Sequence, residues 1–225
     1  MSAGFRAAVR NALAEAEGGP LGRRIRAATI TAIVADARGD EHDAVALEEL
    51  VGALERAGVP RGRQFVLLGD VDTRVLPARE AARTLRARLG IPVLAHDPAS
   101  RASFHAGDLA DGTRVVLDDE LREAEEIVIA GRIAADRGGP AAVWPGLAST
   151  AARWAESAAV AALPANHRED ERRARACAAL ALASACFVLV WDGDAPPRVR
   201  AGEPATVLAR AAAAVAPCDA NPDRS

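Results

Sequence analysis

One stretch of the sequence, from Glu126 to Ser149, restricts the fold more than any other. It begins with Glu126-Ile-Val-Ile-Ala-Gly-Arg-Ile133, a short apolar run rich in β-branched residues, which is typical of a strand buried on both faces of a sheet. A Gly/Pro-rich loop follows, and Ser149 then provides an N-cap for an Ala-rich helical pattern. A strand, a loop and a helix in this order place ligands at the carboxyl edge of an open α/β sheet.

The rest of the chain repeats this alternation of strand and helix. Apolar periodicity predicts helices over 3–16, 44–57, 77–89, 120–126, 147–163, 169–183 and 204–215. Apolar runs predict strands over 28–34, 65–68, 91–95, 114–117, 126–133 and 186–191, whereas 39–43, with His42, and 98–113 are polar and are predicted as loops. The alternation predicts an α/β fold with a doubly wound, mostly parallel sheet. We expect one domain over 1–216 and a disordered tail over 217–225.

Composition and charge exclude several classes of function. The formal charge is -3 and no basic stripe carries interleaved aromatic residues, so nucleic acid is not an expected partner. No apolar stretch reaches the length of a membrane span, and the N-terminus lacks the apolar core of a signal peptide, so we expect a cytoplasmic protein. The three cysteines are odd in number and lack CxxC spacing, which argues against zinc and against a disulfide scaffold.

All 28 basic residues are arginine, because the sequence contains no lysine. The simplest explanation is a GC-rich coding bias. The consequence for chemistry is the same whatever the cause. A Schiff base, a P-loop lysine and a lysine-attached cofactor all require this residue type, so none of them can form within these 225 residues.

Polar residues follow the predicted strands, and in a parallel sheet such positions meet at one edge. Carboxylate, imidazole and guanidinium groups at this edge can coordinate a hard cation or hold a small anionic ligand. The same residue types are also ordinary loop and capping residues, and the sequence leaves both interpretations open. The residues concerned are Asp36, Arg38, Asp70, Asp72, Arg74, His96, Asp97 and Arg132.

From about Ala16 to Ala214, the order of motifs resembles the N-terminal domain of the nickel-dependent lactate racemase family. The resemblance depends on the ensemble of motifs and their spacing, since each motif alone is weak. They are Ile33-Val-Ala-Asp-Ala-Arg38, Gly69 to Glu80, Ala95-His-Asp97, Ile129-Ala-Gly-Arg-Ile133, Trp144-Pro-Gly-Leu-Ala-Ser149, Asn166 to Asp170 and Phe187-Val-Leu-Val190.

The resemblance implies a Rossmann-like domain that is followed, in the family, by a smaller C-terminal domain, with the active site between the two. It also implies a nickel pincer nucleotide attached to a lysine through a thioamide. In the family, histidines ligate the nickel and exchange the proton at the α-carbon of the substrate.

Few of the family's functional residues are found in this chain. Asp36 and Arg38 resemble the family's first-strand Asp and Arg, although the spacing is one residue shorter. The family's His-Arg-Pro motif falls on Thr73-Arg-Val75, so Arg74 is retained and the histidine is not. Between Arg132 and Pro145 there is neither the histidine nor the lysine of the family. We therefore expect no nickel pincer nucleotide and no racemisation.

The resemblance predicts a short, degenerate relative of the lactate racemase N-terminal domain. We expect it to bind a small anionic metabolite or nucleotide at the sheet edge, or to pair with a second copy or a complementary chain. Trp144 and Trp154 are candidates for an apolar face that such a partner covers, or else they are core residues. Two enzymes are the alternatives. One is a metal-assisted enzyme that uses Asp36, Asp70, Asp72 and His96, and the other is an isomerase or racemase acting on a small 2-hydroxy acid. The candidate ligand-binding residues are Asp36, Arg38, Asp72, Arg74, His96 and Arg132.

Overall fold

The computed structural model describes residues 2–36, 40–69, 75–133, 147–148, 150–192 and 198–215. The strands within these ranges are β1 (Thr31–Asp36), β2 (Gln64–Gly69), β3 (Val93–Ala95), β4 (Ser103–Asp108), β5 (Arg114–Asp118), β6 (Glu126–Ile133), β7 (Ala185–Asp192) and β8 (Val199–Gly202). The α-helices are α1 (Ser2–Ala14), α2 (Glu41–Arg56), α3 (Val75–Leu89), α4 (Thr150–Ala161), α5 (Arg168–Leu182) and α6 (Pro204–Val215). No helix in these ranges is long and apolar enough to cross a membrane.

Six strands form the main sheet in the order β3-β2-β1-β6-β7-β8. The neighbouring pairs from β3 to β7 are parallel, and β8 is antiparallel to β7 at the edge. Counted among the strands of this sheet alone, the order is 3-2-1-4-5-6, the order of a Rossmann-type sheet. The structure therefore confirms the predicted α/β fold with a doubly wound, mostly parallel sheet.

The apolar run that the sequence predicts as a buried strand forms β6 at the centre of the sheet. Val128, Ile129 and Ala130 are fully buried, and β6 pairs with β1 on one side and β7 on the other. Successive side chains of a strand point to opposite faces, so β6 contributes to both layers of the core. Burying a side chain the size of valine or isoleucine contributes about 1.5–3 kcal/mol to stability.

The two faces of the sheet are covered by different helices. On one face, α1, α2 and α3 pack their apolar stripes against residues such as Ile33, Val128 and Leu189. On the other face, α5, α6 and the β4–β5 hairpin pack against residues such as Ile129 and Val188. This arrangement leaves the ends of the parallel strands as the place where loops and polar groups gather.

Helix α2 begins three residues earlier than the sequence predicted, so His42 lies in its first turn and not in a loop. Asp40 is the N-cap, and its carboxylate accepts from the backbone N–H of His42 and Asp43, while Asp43 accepts from the backbone N–H of Asp40. This capping box satisfies helix N–H groups that would otherwise lack partners. The ring of His42 packs edge-on against Phe5 of α1, with centroids 4.6 Å apart.

Two strands were not predicted from the sequence. Residues 98–113 were predicted as loop, but Ser103–Asp108 forms β4, which pairs with β5 in a separate antiparallel sheet of two strands. Val199–Gly202 forms β8 at the edge of the main sheet. Both strands are short and neither is a continuous apolar run, so the apolar pattern on which the predictions depended does not reveal them.

Candidate functional site

The strand order of the main sheet reverses between β1 and β6, which lie side by side. In open α/β sheets, ligands bind at such a reversal, outside the carboxyl ends of the strands. Asp36 is the last residue of β1, and Arg132 is the penultimate residue of β6. The fold thus places these two predicted site residues at the carboxyl ends of neighbouring strands.

Arg132 is joined to the start of α2 by an ion pair. Its Nη2 donates to Oδ2 of Asp40, while Oδ1 of Asp40 accepts from the backbone N–H of His42 (2.9 Å) and Asp43 (3.0 Å). Burial raises the pKa of Asp40, but the donors of Asp43, Arg132 and His42 outweigh it and hold this pKa below its usual value. Asp40 is therefore ionised at neutral pH and fixes the guanidinium of Arg132 beside the helix.

Two buried N–H donors at this edge have no hydrogen-bond partner within the described residues. They are Nε of Arg132 and Nε1 of Trp191, the latter in a side chain that is 2% exposed. Leaving a buried donor unpaired costs about 1–3 kcal/mol. Native structures rarely retain such groups without a role, so this pair marks the edge as a place where an acceptor belongs.

His96 follows β3 as predicted, but it does not face the edge as a free group. Its Nδ1 lies 2.5 Å from Oδ2 of Asp118, and its Nε2 lies 3.1 Å from the carbonyl oxygen of Ala148. The residue is 3% exposed. Because both ring nitrogens are occupied by acceptors from distant parts of the chain, His96 joins β3, β5 and the residue pair 147–148.

A pocket of about 400 Å³ lies at the carboxyl ends of β2 and β3. Leu67 and Leu94 line its apolar side. No basic residue of the described chain lines the pocket, whereas five acidic residues do, so the pocket does not suit an anion. Its carboxylate-bearing residues are Asp97, Asp118, Asp119, Glu120 and Glu123.

Most of the other predicted site residues lie outside the part of the chain that the structure describes. Arg38, Asp72 and Arg74 lie outside the described residues, as do Asp70 and Trp144, and only the backbone of Asp36 and of Trp154 is described. Asp97 pairs with Arg79, with Nη2 and Oδ2 3.3 Å apart. Within the described ranges, no group of three or more His, Cys, Asp and Glu residues is arranged to hold a metal ion.

The thiol of Cys186, like the imidazole of His96, is occupied by a hydrogen bond inside the protein. It donates to the carbonyl oxygen of Ile127 at 3.3 Å. Burial, with a smaller contribution from Glu126, raises its pKa to about 12. Since the thiolate is the nucleophilic form, Cys186 is not a nucleophile at neutral pH, and it packs as a small apolar residue.

Three residues of this region were not identified from the sequence. Asp40 carries a detectable signal, because Asp40 and Asp43 have the spacing of a capping box at the start of a helix. Trp191 looks like an ordinary apolar residue at the end of a strand, and Asp118 is 22 residues from its partner His96. A local sequence pattern reveals neither the unpartnered N–H of Trp191 nor the contact between Asp118 and His96.

The fold is similar to that of the lactate racemase apoprotein from Thermoanaerobacterium thermosaccharolyticum, with a TM-score of 0.68 and 17% sequence identity. The similarity covers 93% of this chain and 54% of that one, so the chain spans about half the length of the solved structure. No protein-family model and no curated protein matches the sequence. The comparison confirms the resemblance suggested by the sequence motifs: this chain has the fold of part of a lactate racemase.

Proposed function

We propose that this protein is a non-racemising module of lactate racemase fold that binds a small anionic ligand at the carboxyl edge of its sheet. The observation that carries the proposal is the position of Arg132. Its guanidinium lies at the end of the central strand β6, beside the reversal of strand order, and its Nε is buried without a partner. A guanidinium recognises carboxylate and phosphate oxygens through directed N–H donors.

The residues available for proton transfer support a module that does not racemise. Exchange of the proton at an α-carbon needs a positioned acid and base. His96 is buried between Asp118 and Ala148, and His42 packs against Phe5 in the first turn of α2. Both ring nitrogens of His96 are engaged in these contacts, so His96 does not present a free nitrogen to a ligand at the end of β6.

The chain also does not suit the cofactor that the resemblance implies. The family attaches its nickel pincer nucleotide to a lysine, and these 225 residues contain none. The buried His96, with both ring nitrogens in hydrogen bonds, is not available as a nickel ligand either.

The proposal is tested by calorimetric titration with three probes: acetate, L-lactate and inorganic phosphate. We expect saturable binding of at least one probe, weakened about tenfold or more by Arg132→Gln. Arg63→Gln is the matched control, because Arg63 is exposed and lies just before β2, at the amino end of the sheet. If none of the probes binds, or if both variants lose affinity equally, the proposed site is wrong.

A further inference from the structure

Arg132 and Trp191 occupy matching positions on neighbouring strands. They are paired in the parallel register of β6 and β7, one residue before the end of each strand. Paired residues in a sheet point to the same face, and strands lie about 4.8 Å apart. Trp191 packs in the core cluster beneath α1 and α2, and Arg132 reaches the N-cap of α2. Both side chains thus lie on the α2 face of the sheet.

The two unpartnered atoms are both donors. An indole nitrogen can only donate, and Nε of an arginine likewise carries a hydrogen and no lone pair for accepting. They cannot satisfy one another. What both lack is an acceptor oxygen, and a charged oxygen forms shorter and stronger bonds with such donors than a neutral one does.

Asp40 does not supply this oxygen. Its Oδ2 accepts from Nη2 of Arg132, and its Oδ1 accepts from the backbone N–H of His42 and Asp43. The carboxylate is therefore committed to the start of α2. While Asp40 holds Nη2, Nε is a buried donor of Arg132 that has no partner among the described residues.

We infer that Nε of Arg132 and Nε1 of Trp191 together bind one anionic oxygen of the ligand, either a carboxylate or a phosphoryl oxygen. This inference rests on the proposed function and specifies the atoms that recognise the ligand. The ring of Trp191 packs against that of Phe5 in a T-shaped arrangement, with centroids 6.1 Å apart. Trp191 is then a recognition residue and not only part of the core.

The test is nuclear magnetic resonance of the three tryptophan indole N–H groups. Trp191→Phe identifies the signal of Trp191 by its disappearance and retains an aromatic ring against Phe5. Acetate and inorganic phosphate are then titrated separately into the wild-type protein. We expect the Trp191 indole proton to shift downfield saturably with one probe or both, and the responsive probe identifies the oxygen as carboxylate or phosphoryl.

Two variants of Arg132 sharpen the test. Arg132→Lys retains a cation near Asp40 but lacks the Nε donor, and Arg132→Gln removes the charge. In both, the shift of the Trp191 signal should require about tenfold more probe or disappear, whereas Arg63→Gln should titrate like the wild type. Thermal unfolding of each variant shows whether the fold is retained.

The outcomes separate this inference from the proposed function. If a probe binds by calorimetry and weakens with Arg132→Gln while the Trp191 signal does not move, the inference is wrong and the proposed function stands. If the Trp191 signal shifts equally in Arg132→Lys and in the wild type, Nε of Arg132 does not bind the anionic oxygen and the inference is again wrong. If no probe binds by either method, both are wrong.

Discussion

Gly202, at the end of β8, shows most clearly how a single residue controls the fold. Its φ of +143° is one that other residues rarely adopt, and a Cβ placed there would lie 2.6 Å from the backbone nitrogen of Glu17 and closer still to its carbonyl oxygen. The backbone of Glu17 makes a parallel bridge with Gly202 and accepts from the N–H of Glu203 at 3.0 Å. Gly202 thus lets the chain after α1 run against the sheet edge.

We predict that Gly202→Ala destabilises the protein by about 1–3 kcal/mol, because the backbone must move and the residue is strained. The measurement is the free energy of unfolding in urea. Gly62→Ala is the control, since nothing lies within 4 Å of a Cβ at that position. An equal loss of stability in both variants would show that the close approach of Glu17 does not matter.

The hydrogen bonds of His96 are a second feature at this scale. Removing the carboxylate in Asp118→Ala leaves a buried imidazole nitrogen without its partner and also removes the cap that Asp118 provides for the N–H of Glu120. We predict a loss of about 2–4 kcal/mol in unfolding free energy. Asp118→Asn, which retains an acceptor oxygen, should lose less, and similar losses in the two variants would contradict this account.

At the scale of secondary-structure elements, a buried cation joins α4, α5 and the turn between β4 and β5. Nε of Arg175 donates to both oxygens of Glu156 at 3.0 and 2.9 Å, and its Nη atoms donate to Asp111 (2.5 Å) and Thr113 (2.8 Å). The side chains of Arg175 and Glu156 are 6% and 7% exposed. The hairpin outside the main sheet is therefore attached to the helices by charge as well as by apolar contact.

Arg175→Met should cost about 3–5 kcal/mol, because it leaves the buried Glu156 without a counter-ion. Adding Glu156→Leu to this variant should recover much of the loss, since the unpaired charge is then gone. Urea unfolding of the single and double variants measures both effects. A double variant that is less stable than Arg175→Met would contradict the explanation.

Asp111 makes the same attachment sensitive to acid. The hydrogen bond from Arg175, helped by the N–H of Thr113, lowers the pKa of Asp111 to about 2. A lowered pKa means that the folded state binds fewer protons than the unfolded state, so this contribution to stability is present above about pH 4 and is lost as the pH falls towards 2. Asp111→Asn should flatten the decline of unfolding free energy across this interval, and an unchanged slope would contradict the assignment.

How well an element could be predicted depended on whether its pattern is local. The buried run of β6 and the Ala-rich pattern of α6 are local, and both elements lie where the sequence placed them. The start of α2 was missed because the polar run before it forms a capping box that resembles a loop in composition. β4 was missed because its half-exposed residues do not form an apolar run.

The candidate site was predicted less well than the fold because its contacts are distant in sequence. Arg132 could be placed at the sheet edge from the strand pattern alone. Its partner Asp40 is 92 residues away, and the acceptors of His96 are 22 and 52 residues away. His96 was therefore expected to face a ligand, whereas the structure places it inside a hydrogen-bonded junction.

At the scale of the whole molecule, the chain shares the fold of about half of a lactate racemase at 17% sequence identity. Such a fold fixes where strand ends converge but not which side chains are found there, so similarity of fold and similarity of chemistry are separate matters. In this chain the sheet edge carries an arginine held by an aspartate and an indole N–H, and His96, which follows β3, is buried. Pairing with a second copy or another chain remains a prediction from the resemblance.

Nuclear magnetic resonance of L-lactate with the purified protein in D₂O tests directly whether the protein binds a 2-hydroxy acid without racemising it. Saturation transfer from protein to the lactate methyl group reports binding, and the α-proton signal reports exchange at the reacting carbon. Where L-lactate is the probe that binds, we expect saturation transfer that weakens about tenfold or more in Arg132→Gln, and in every case an α-proton signal that stays constant and no D-lactate. Deuterium entering the α-position, or D-lactate appearing, would contradict this account and show that this fold still racemises.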